Sequence, residues 1–410
     1  MSCEISSCRI CGSTTLQDVF DMGHQALASR FPKSGESDPP TAPLVLTKCN
    51  GDCGLLQLKH TVSSDELYTD SYGYRSGVNE MMRSHIKTIV EDLYTYIKPG
   101  KNDVVVDIGS NDGTLLSYHS SEAERVGIDP TGLQFKKYYL DGIKLIPDFF
   151  TYDNYVKEFG ERKAKCVTSI SMFYDLPAPL VFMKDVAKIL DDDGVWVMEQ
   201  SYLPTMLERN SYDTVCHEHL EYYMFAQISW MCQRAGLRVL NVNLNDCNGG
   251  SFRVTICHEK APYVSNLFAI ESIEEKEQNI DLDEFVKRCK EHRTQLRDLL
   301  CFLKVQKKSV YIYGASTKGN TMLQYGMIDN SLIVAAAERN PDKYGCRTPY
   351  TNIPIISEAE VRAAKPDYML VLPWHFRDGI VEREKEYLEQ GGQLIFPLPV
   401  VDIVKGSTRT

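Results

Sequence analysis

The chain has 410 residues, 43% hydrophobic and 25% charged, which suits two or three domains of an ordinary globular enzyme. Its 45 basic and 56 acidic residues leave a net charge of −11, which excludes a dedicated nucleic-acid binder with a basic face. No stretch approaches the roughly 18 apolar residues of a membrane span, and the segment 1–12 lacks the regions of a signal peptide. The expected chain is therefore cytoplasmic, with no membrane or nucleic-acid partner.

Thirteen cysteines in such a chain are either reduced core residues or metal ligands. Cys8 and Cys11 form a CxxC pair, and Cys49 and Cys53 a second short-spaced pair. Gly12 and Gly54 follow the pairs, where a positive φ lets each knuckle close. Four thiolates at about 2.3 Å predict a closed, structural zinc site. A redox CxxC would need a thioredoxin-like βαβ context, which is missing. Cys3 is a rival ligand, and the remaining cysteines are expected to pack as small hydrophobes. The Gly/Ser/Pro-rich stretch 34–43 between the pairs reads as a mobile loop.

Met82, Ile86, Ile89, Val90, Leu93 and Ile97 recur at helical spacing and predict a helix over 78–97, closed by Pro99 and Gly100. A β-branched run predicts a buried strand over 103–109, with further strands at 125–128, 166–170 and 195–199 and a helix at 180–190. This alternation predicts a parallel sheet covered by helices. A long helix is expected over 281–304. After it the pattern restarts with strands at 309–314, 332–337 and 368–372.

The segment from Asp107 through Gly109, Asn111, Asp112 and Gly113 is a strand, a glycine turn and a helix start. Asp129, followed by Pro130, ends the next strand, where a carboxylate can accept hydrogen bonds from ribose hydroxyls. Ser171 ends a later one. A dinucleotide site would carry glycines in a G-x-G-x-x-G frame, which is broken here. The acidic turn suits a cationic sulfonium with an amino-acid tail, so the expected cofactor is S-adenosylmethionine.

With these motifs the sequence resembles the nucleotide-sugar C-methyltransferases that modify deoxysugars. The resemblance spans nearly the whole chain. It is carried by the cysteine pairs, the stretch from Ile108 to Gly113, and His217-Glu218-His219-Leu220 with Tyr222-Tyr223. It is carried further by the stretch from Asn248 to Arg253 and the turn from Gly314 to Asn320. It implies an α/β architecture in three parts. These are an N-terminal four-cysteine zinc-binding domain over 1–70, a central Rossmann-like class I methyltransferase domain over 71–304, and a C-terminal Rossmann-like domain over 305–410. The implied reaction moves a methyl group to C-3, beside the C-4 keto group of a nucleotide-linked deoxysugar. The family's Tyr-x-Glu-His stretch carries its acid and base work. Here its Glu and His fall on Glu218 and His219, and its Tyr falls on Cys216. A tyrosine upstream of the cofactor motif matches Tyr72 or Tyr74.

Abstraction of a proton beside a ketone needs a base and a donor for the enolate. His219 is the leading base, supported by Glu218 and His217. If this segment is extended, His217 and His219 share a face and Glu218 points away. Tyr222, Tyr72 and Tyr74 are candidate donors. For the acceptor, Asn248 and Arg253 are candidate contacts. In the C-terminal part Ser316, Thr317, Lys318 and Asn320 form a second strand-turn-helix start that favours phosphate. Glu338, Arg339, Asn340 and His375 follow later strands. Methylation of a sugar oxygen and a non-catalytic nucleotide-sugar binder are the alternatives. NAD fits the second turn less well.

Overall fold

A computed structural model of the chain describes residues 2–67 and 75–406. The N-terminal part is an antiparallel meander of β1 (Leu16–Ala26), β2 (Thr41–Cys49) and β3 (Leu56–Leu58). Helix α1 (Glu80–Leu93) follows, with the Asn79 side chain accepting from the Met81 N–H, which satisfies one orphan donor at its start. The chain then runs through β4 (Val104–Ile108), β5 (Glu124–Ile128), β6 (Ile143–Ile146), β7 (Ala164–Ile170) and β8 (Leu190–Ser201). These are parallel and lie side by side as β8-β7-β4-β5-β6. Every residue of β4 is buried, as expected of a strand with both faces covered.

Strand β9 (Glu221–Tyr222) leaves this sheet and pairs with β3, so the segment after the His-Glu-His cluster joins the N-terminal sheet. Strands β10 (Leu237–Asn245) and β11 (Ser251–His258) return to the central sheet and pair antiparallel, β11 beside β8. A short turn over Cys247–Gly249 joins the two, so this edge of the sheet is an antiparallel hairpin that the strand and helix alternation does not include. Helix α2 (Leu282–Val305) leads to the third part. There β12 (Val310–Tyr313), α3 (Thr317–Tyr325), β13 (Ala336–Glu338), β14 (Ile355–Ser357), β15 (Tyr368–Val371), β16 (Gln393–Phe396) and β17 (Asp402–Lys405) form a sheet ordered β14-β13-β12-β15-β16-β17.

Two expectations are corrected. The strand expected over 332–337 is only Ala336–Glu338, because the N–H groups of Leu332 and Ile333 turn back onto the Asp329 carbonyl. The stretch 34–43 is anchored: Asp38 accepts from the Arg347 guanidinium and the Tyr350 N–H at 2.8 Å, and Pro43 lies within β2.

The parts share their cores. Phe20, Leu46 and Leu58 of the N-terminal sheet pack with Phe285 and Leu300 of α2 and with Ile312 and Leu370 of the third sheet. Cys8 and Cys53 pack in a second cluster with Val106, Trp196 and Phe225. Burying each such side chain contributes roughly 1.5–3 kcal/mol, so this shared packing fixes the clefts between the parts.

Candidate functional site

The four predicted ligands meet. Cys8 Sγ lies 3.4 Å from Cys53 Sγ, Cys11 Sγ 3.5 Å from Cys49 Sγ, and Cys53 Sγ 3.4 Å from Cys11 Sγ. A tetrahedron with 2.3 Å bonds has an edge of roughly 3.8 Å, so little adjustment separates this cluster from a zinc site. Gly12 and Gly54 take φ of +72° and +64°, as the knuckle reading requires. Contact with Cys53 lowers Cys8 to about 4, whereas burial pushes Cys49 to about 11 and contact with Cys8 pushes Cys53 up. Buried thiols so close cannot all ionise unless a cation balances them, which is the chemistry of a zinc site. Cys3 is exposed on a separate two-stranded ribbon.

Arg9, between the two ligands of the first knuckle, donates to the Leu58 carbonyl at 2.6 Å and to Thr61 Oγ1 at 2.7 Å. Its Nε lies 3.6 Å from Glu221 Oε1. The metal knuckle is thus tied to the strand that follows the His-Glu-His cluster.

At the carboxyl end of β4, Gly109 and Gly113 both have φ of +74°. A Cβ at Gly109 would stand 3.0 Å from Met172, and one at Gly113 3.0 Å from Tyr139, so both positions need glycine. Asp107, Asp112 and Asp129 are buried around this turn. Burial pushes Asp107 up to about 7 against a hydrogen bond from Thr168, and the other two carboxylates add to the rise. Asp112 accepts from the Gly77 N–H at 2.9 Å, with Arg75 at 3.4 Å, and Ser76 N–H donates to Asn111 Oδ1 at 3.0 Å. Asp129 accepts from Asn111 N–H at 2.8 Å, and from Thr131 N–H and hydroxyl at 2.7 and 2.6 Å. That leaves about one of its four acceptor positions for a ribose hydroxyl. Pro130 is exposed in the following turn. Ser171 has φ of +54° and its N–H donates to the Glu199 carbonyl at 2.7 Å. An acidic turn with two obligatory glycines repels pyrophosphate and suits a sulfonium and an ammonium.

The His-Glu-His segment is a turn, closed by the His219 N–H on the Cys216 carbonyl at 3.1 Å, so the condition of an extended run is not met. The two histidines therefore diverge. His217 is buried and pairs with the Ala42 carbonyl at 3.1 Å, which ties this turn to β2. His219 stands against the Tyr174 ring, 4.3 Å between centroids, in a narrow cavity shared with Ser201, Tyr202, Met206 and Tyr222. His219 Nδ1 sits 2.8 Å from the Thr214 carbonyl, which fixes the proton there and leaves Nε2 as the basic nitrogen. Burial, then the Lys318 ammonium, lowers His219 to about 4. Both Glu218 oxygens and the Tyr222 hydroxyl are buried without a hydrogen-bond partner among the described residues. Cys216 is a neutral thiol, pushed up by burial and by Glu218. Tyr72 and Tyr74 lie outside the described residues.

The C-terminal candidates separate into two groups. Lys318 Nζ donates to the Asn248 carbonyl at 2.9 Å, and Trp374 Nε1 to Asp213 Oδ2 at 2.9 Å. With His375, lowered to about 3 by burial and then by Lys318, these groups line the junction that also holds His219. Ser316 caps α3 by accepting from Gly319 N–H at 3.0 Å, which leaves Thr317 in the first turn. Glu338 accepts from the N–H groups of Arg339 and Asn340 at 2.7 and 3.0 Å, and Arg339 pairs with Glu358 at 3.1 Å; all lie on the rim beside Gly314.

Two candidates do other work. The Asn320 amide donates to the Ala28 carbonyl at 2.7 Å and staples α3 to the N-terminal part. Arg253 is held by Glu199 at 2.8 Å and by Asp92, so its charge is consumed inside the central sheet. Sequence reasoning missed Asp213, Arg9 and the pair of His85 with Glu199. The last left one signal, a carboxylate ending the apolar run Val195-Trp196-Val197-Met198.

Three family models cover most of the chain. A zinc binding domain matches residues 8–68, a methyltransferase domain 79–242, and a C-methyltransferase C-terminal domain 246–399. The chain is 30% identical to the C-methyltransferase NovU of Streptomyces niveus over 420 residues, 98% of each protein. The chain belongs to the C-methyltransferase family. Among solved structures, a chain of the Haloferax volcanii complex between the Trm112 methyltransferase activator and a methyltransferase is 16% identical. It matches with a TM-score of 0.36 over 44% of this chain and 92% of that one. The N-methyltransferase NodS from Bradyrhizobium japonicum, in complex with S-adenosyl-l-homocysteine, matches at 0.33 with 11% identity over 45% and 90%. This C-methyltransferase is an α/β protein that uses S-adenosylmethionine and carries a four-cysteine zinc-binding domain. Among the described residues no helix is long and apolar enough to cross a membrane.

Proposed function

We propose that this C-methyltransferase methylates C-3 of a nucleotide-linked 4-keto-deoxysugar by way of an enolate. The observation that carries the reading is the neutral, tautomer-fixed His219 in a cavity shared with the orphaned Tyr222 hydroxyl. His219 Nε2 takes the proton beside the ketone, and the cavity excludes water that would reprotonate the enolate. Tyr222, buried against Cys216, supplies the phenol that the family has at position 216. Glu218 orients the sugar with its free oxygens. S-adenosylmethionine supplies the electrophilic methyl group, and Asp107, Asn111, Asp112 and Asp129 hold its positive end and ribose beside Gly109.

In this reading residues 1–70 hold the zinc, 71–304 the methyl donor and 305–410 the nucleotide. The α3 N-terminus with Thr317 and Lys318 receives the diphosphate, and Asn248 and His375 close the junction around the sugar. Incubation with labelled S-adenosylmethionine and a panel of nucleotide-linked keto-sugars tests the reading. It requires label on a carbon next to the ketone, and label on a sugar oxygen would favour the alternative.

A further inference from the structure

Three neighbouring strands end side by side. Ile108 of β4 pairs with Ser169 of β7, and Ile170 pairs with Glu199 of β8. Glu199 therefore lies two strand spacings, about 10 Å, from the Gly109 turn. Ser201, on the same face of β8 two residues further on, lines the His219 cavity. The ligand crevice of an open α/β sheet lies over such carboxyl ends.

His85 reaches this edge from α1, with its side chain 20% exposed. Its Nε2 bonds Glu199 Oε1, and the Cys247 thiol adjoins both. Glu199 Oε2 accepts from Arg253 at 2.8 Å and Asn245 at 3.0 Å, and Arg253 also pairs with Asp92. A metal ion is poorly served here, because the Arg253 guanidinium already neutralises the carboxylate. Burial works against a charged imidazole, yet Cys247 and Glu199 push His85 up to about 9. Burial likewise opposes a charged Glu199, but His85 and Arg253 hold it below the ordinary carboxylate range. The result is a fixed imidazolium at the carboxyl end of β8, two strands from the methyl-donor turn and on the strand whose Ser201 lines the His219 cavity.

We propose that His85, held by Glu199, is the cationic donor that stabilises the enolate oxygen of the acceptor. This rests on the keto-sugar reading. No electron or proton is lost in the step: His219 takes the C-3 proton, the electron pair moves to the keto oxygen, and His85 donates to it through Nδ1–H, the ring donor that Glu199 does not hold. The enolate carbon then attacks the methyl group, and the thioether leaves.

The test is C-3 proton exchange in D2O, followed by NMR without methyl donor, beside methyl transfer at saturating donor. His85→Gln should lower both roughly 100-fold or more, as for loss of an oxyanion donor. Its affinity for S-adenosylmethionine should hold, which shows that the fold and the donor site persist. His85→Ala should regain exchange with added imidazole. Wild-type transfer should also fall above about pH 9, where His85 loses its proton. Normal exchange by His85→Gln overturns the role of His85 alone, as does a loss confined to donor affinity. A wild type that exchanges no keto-sugar proton and methylates another acceptor overturns the keto-sugar reading itself. If His85→Gln is unfolded, His85→Ala with and without imidazole decides, and absence of rescue contradicts the proposal.

Discussion

Arg9 and Glu221 meet at 3.6 Å with side chains 3% and 0% exposed, joining the zinc knuckle to the strand that borders the His219 cavity. A guanidinium cannot shed its charge, so Glu221 is its counter-charge, although burial pushes the carboxyl up against the pull of Arg9. Arg9→Gln strands Glu221 and should cost roughly 3–5 kcal/mol in denaturant unfolding. The double variant with Glu221→Gln should recover part of that loss. Additive losses would show that the two residues do not act as a pair.

Metal content follows from the cysteine cluster. The purified protein should carry one zinc per chain, and Cys8→Ser, Cys11→Ser, Cys49→Ser or Cys53→Ser should each lose it by elemental analysis. Cys3→Ser should keep it, because Cys3 lies outside the cluster. Zinc loss should lower stability by several kcal/mol, since the knuckle packs in the same core as Trp196.

Lys318 comes from the third part of the chain yet lowers His219, second only to burial. Lys318→Met should therefore move the His219 titration, followed by imidazole NMR, from about 4 toward the ordinary value. The acid limb of the pH–rate profile should move up with it, and nucleotide affinity should weaken. An unmoved limb would place Lys318 away from His219.

Stability should fall on both sides of neutrality. His119 and His219 are lowered to about 4, chiefly by burial, so the unfolded chain binds their protons first as pH drops below about 6.5. Each contributes a slope of up to about 1.4 kcal/mol per pH unit until its folded pKa is reached. His85 has the opposite sign. Its pairing stabilises fully below about 6.5 and is lost as pH rises through about 9. Urea midpoints across pH 4–10 should trace a dome, and His85→Gln should flatten its alkaline side.

Position 216 separates the phenol from the thiol. Cys216→Ala should keep most of the activity, because the Cys216 thiol stays neutral. Tyr222→Phe should lower kcat by roughly 10- to 100-fold with KM little changed, the behaviour of a donor used in the transition state. Equal losses in the two variants would give Cys216 a direct part.

The sequence announces features whose chemistry is local. The cysteine pairs with Gly12 and Gly54, and the Asp107 to Gly113 turn, are short segments in which spacing alone sets the geometry. Features that depend on distant partners stay hidden. Nothing in the 217–219 segment itself decides between an extended run and a turn, and the Cys216 carbonyl folds it into a turn that sends His217 to Ala42. Arg253 and Asn320 look like ligand-binding polar residues until Glu199 and the Ala28 carbonyl are seen to occupy them. His85 and Glu199 are separated by 114 residues, and only the packing of α1 on β8 brings them together.

Carbon methylation beside a ketone is tested most directly by NMR of the product made with 13C-methyl S-adenosylmethionine and a nucleotide-linked 4-keto-deoxysugar. The product should show a methyl carbon coupled to C-3 by a one-bond carbon–carbon coupling in doubly labelled sugar. A methyl resonance attached to oxygen, or turnover only with acceptors that lack a ketone, would contradict it.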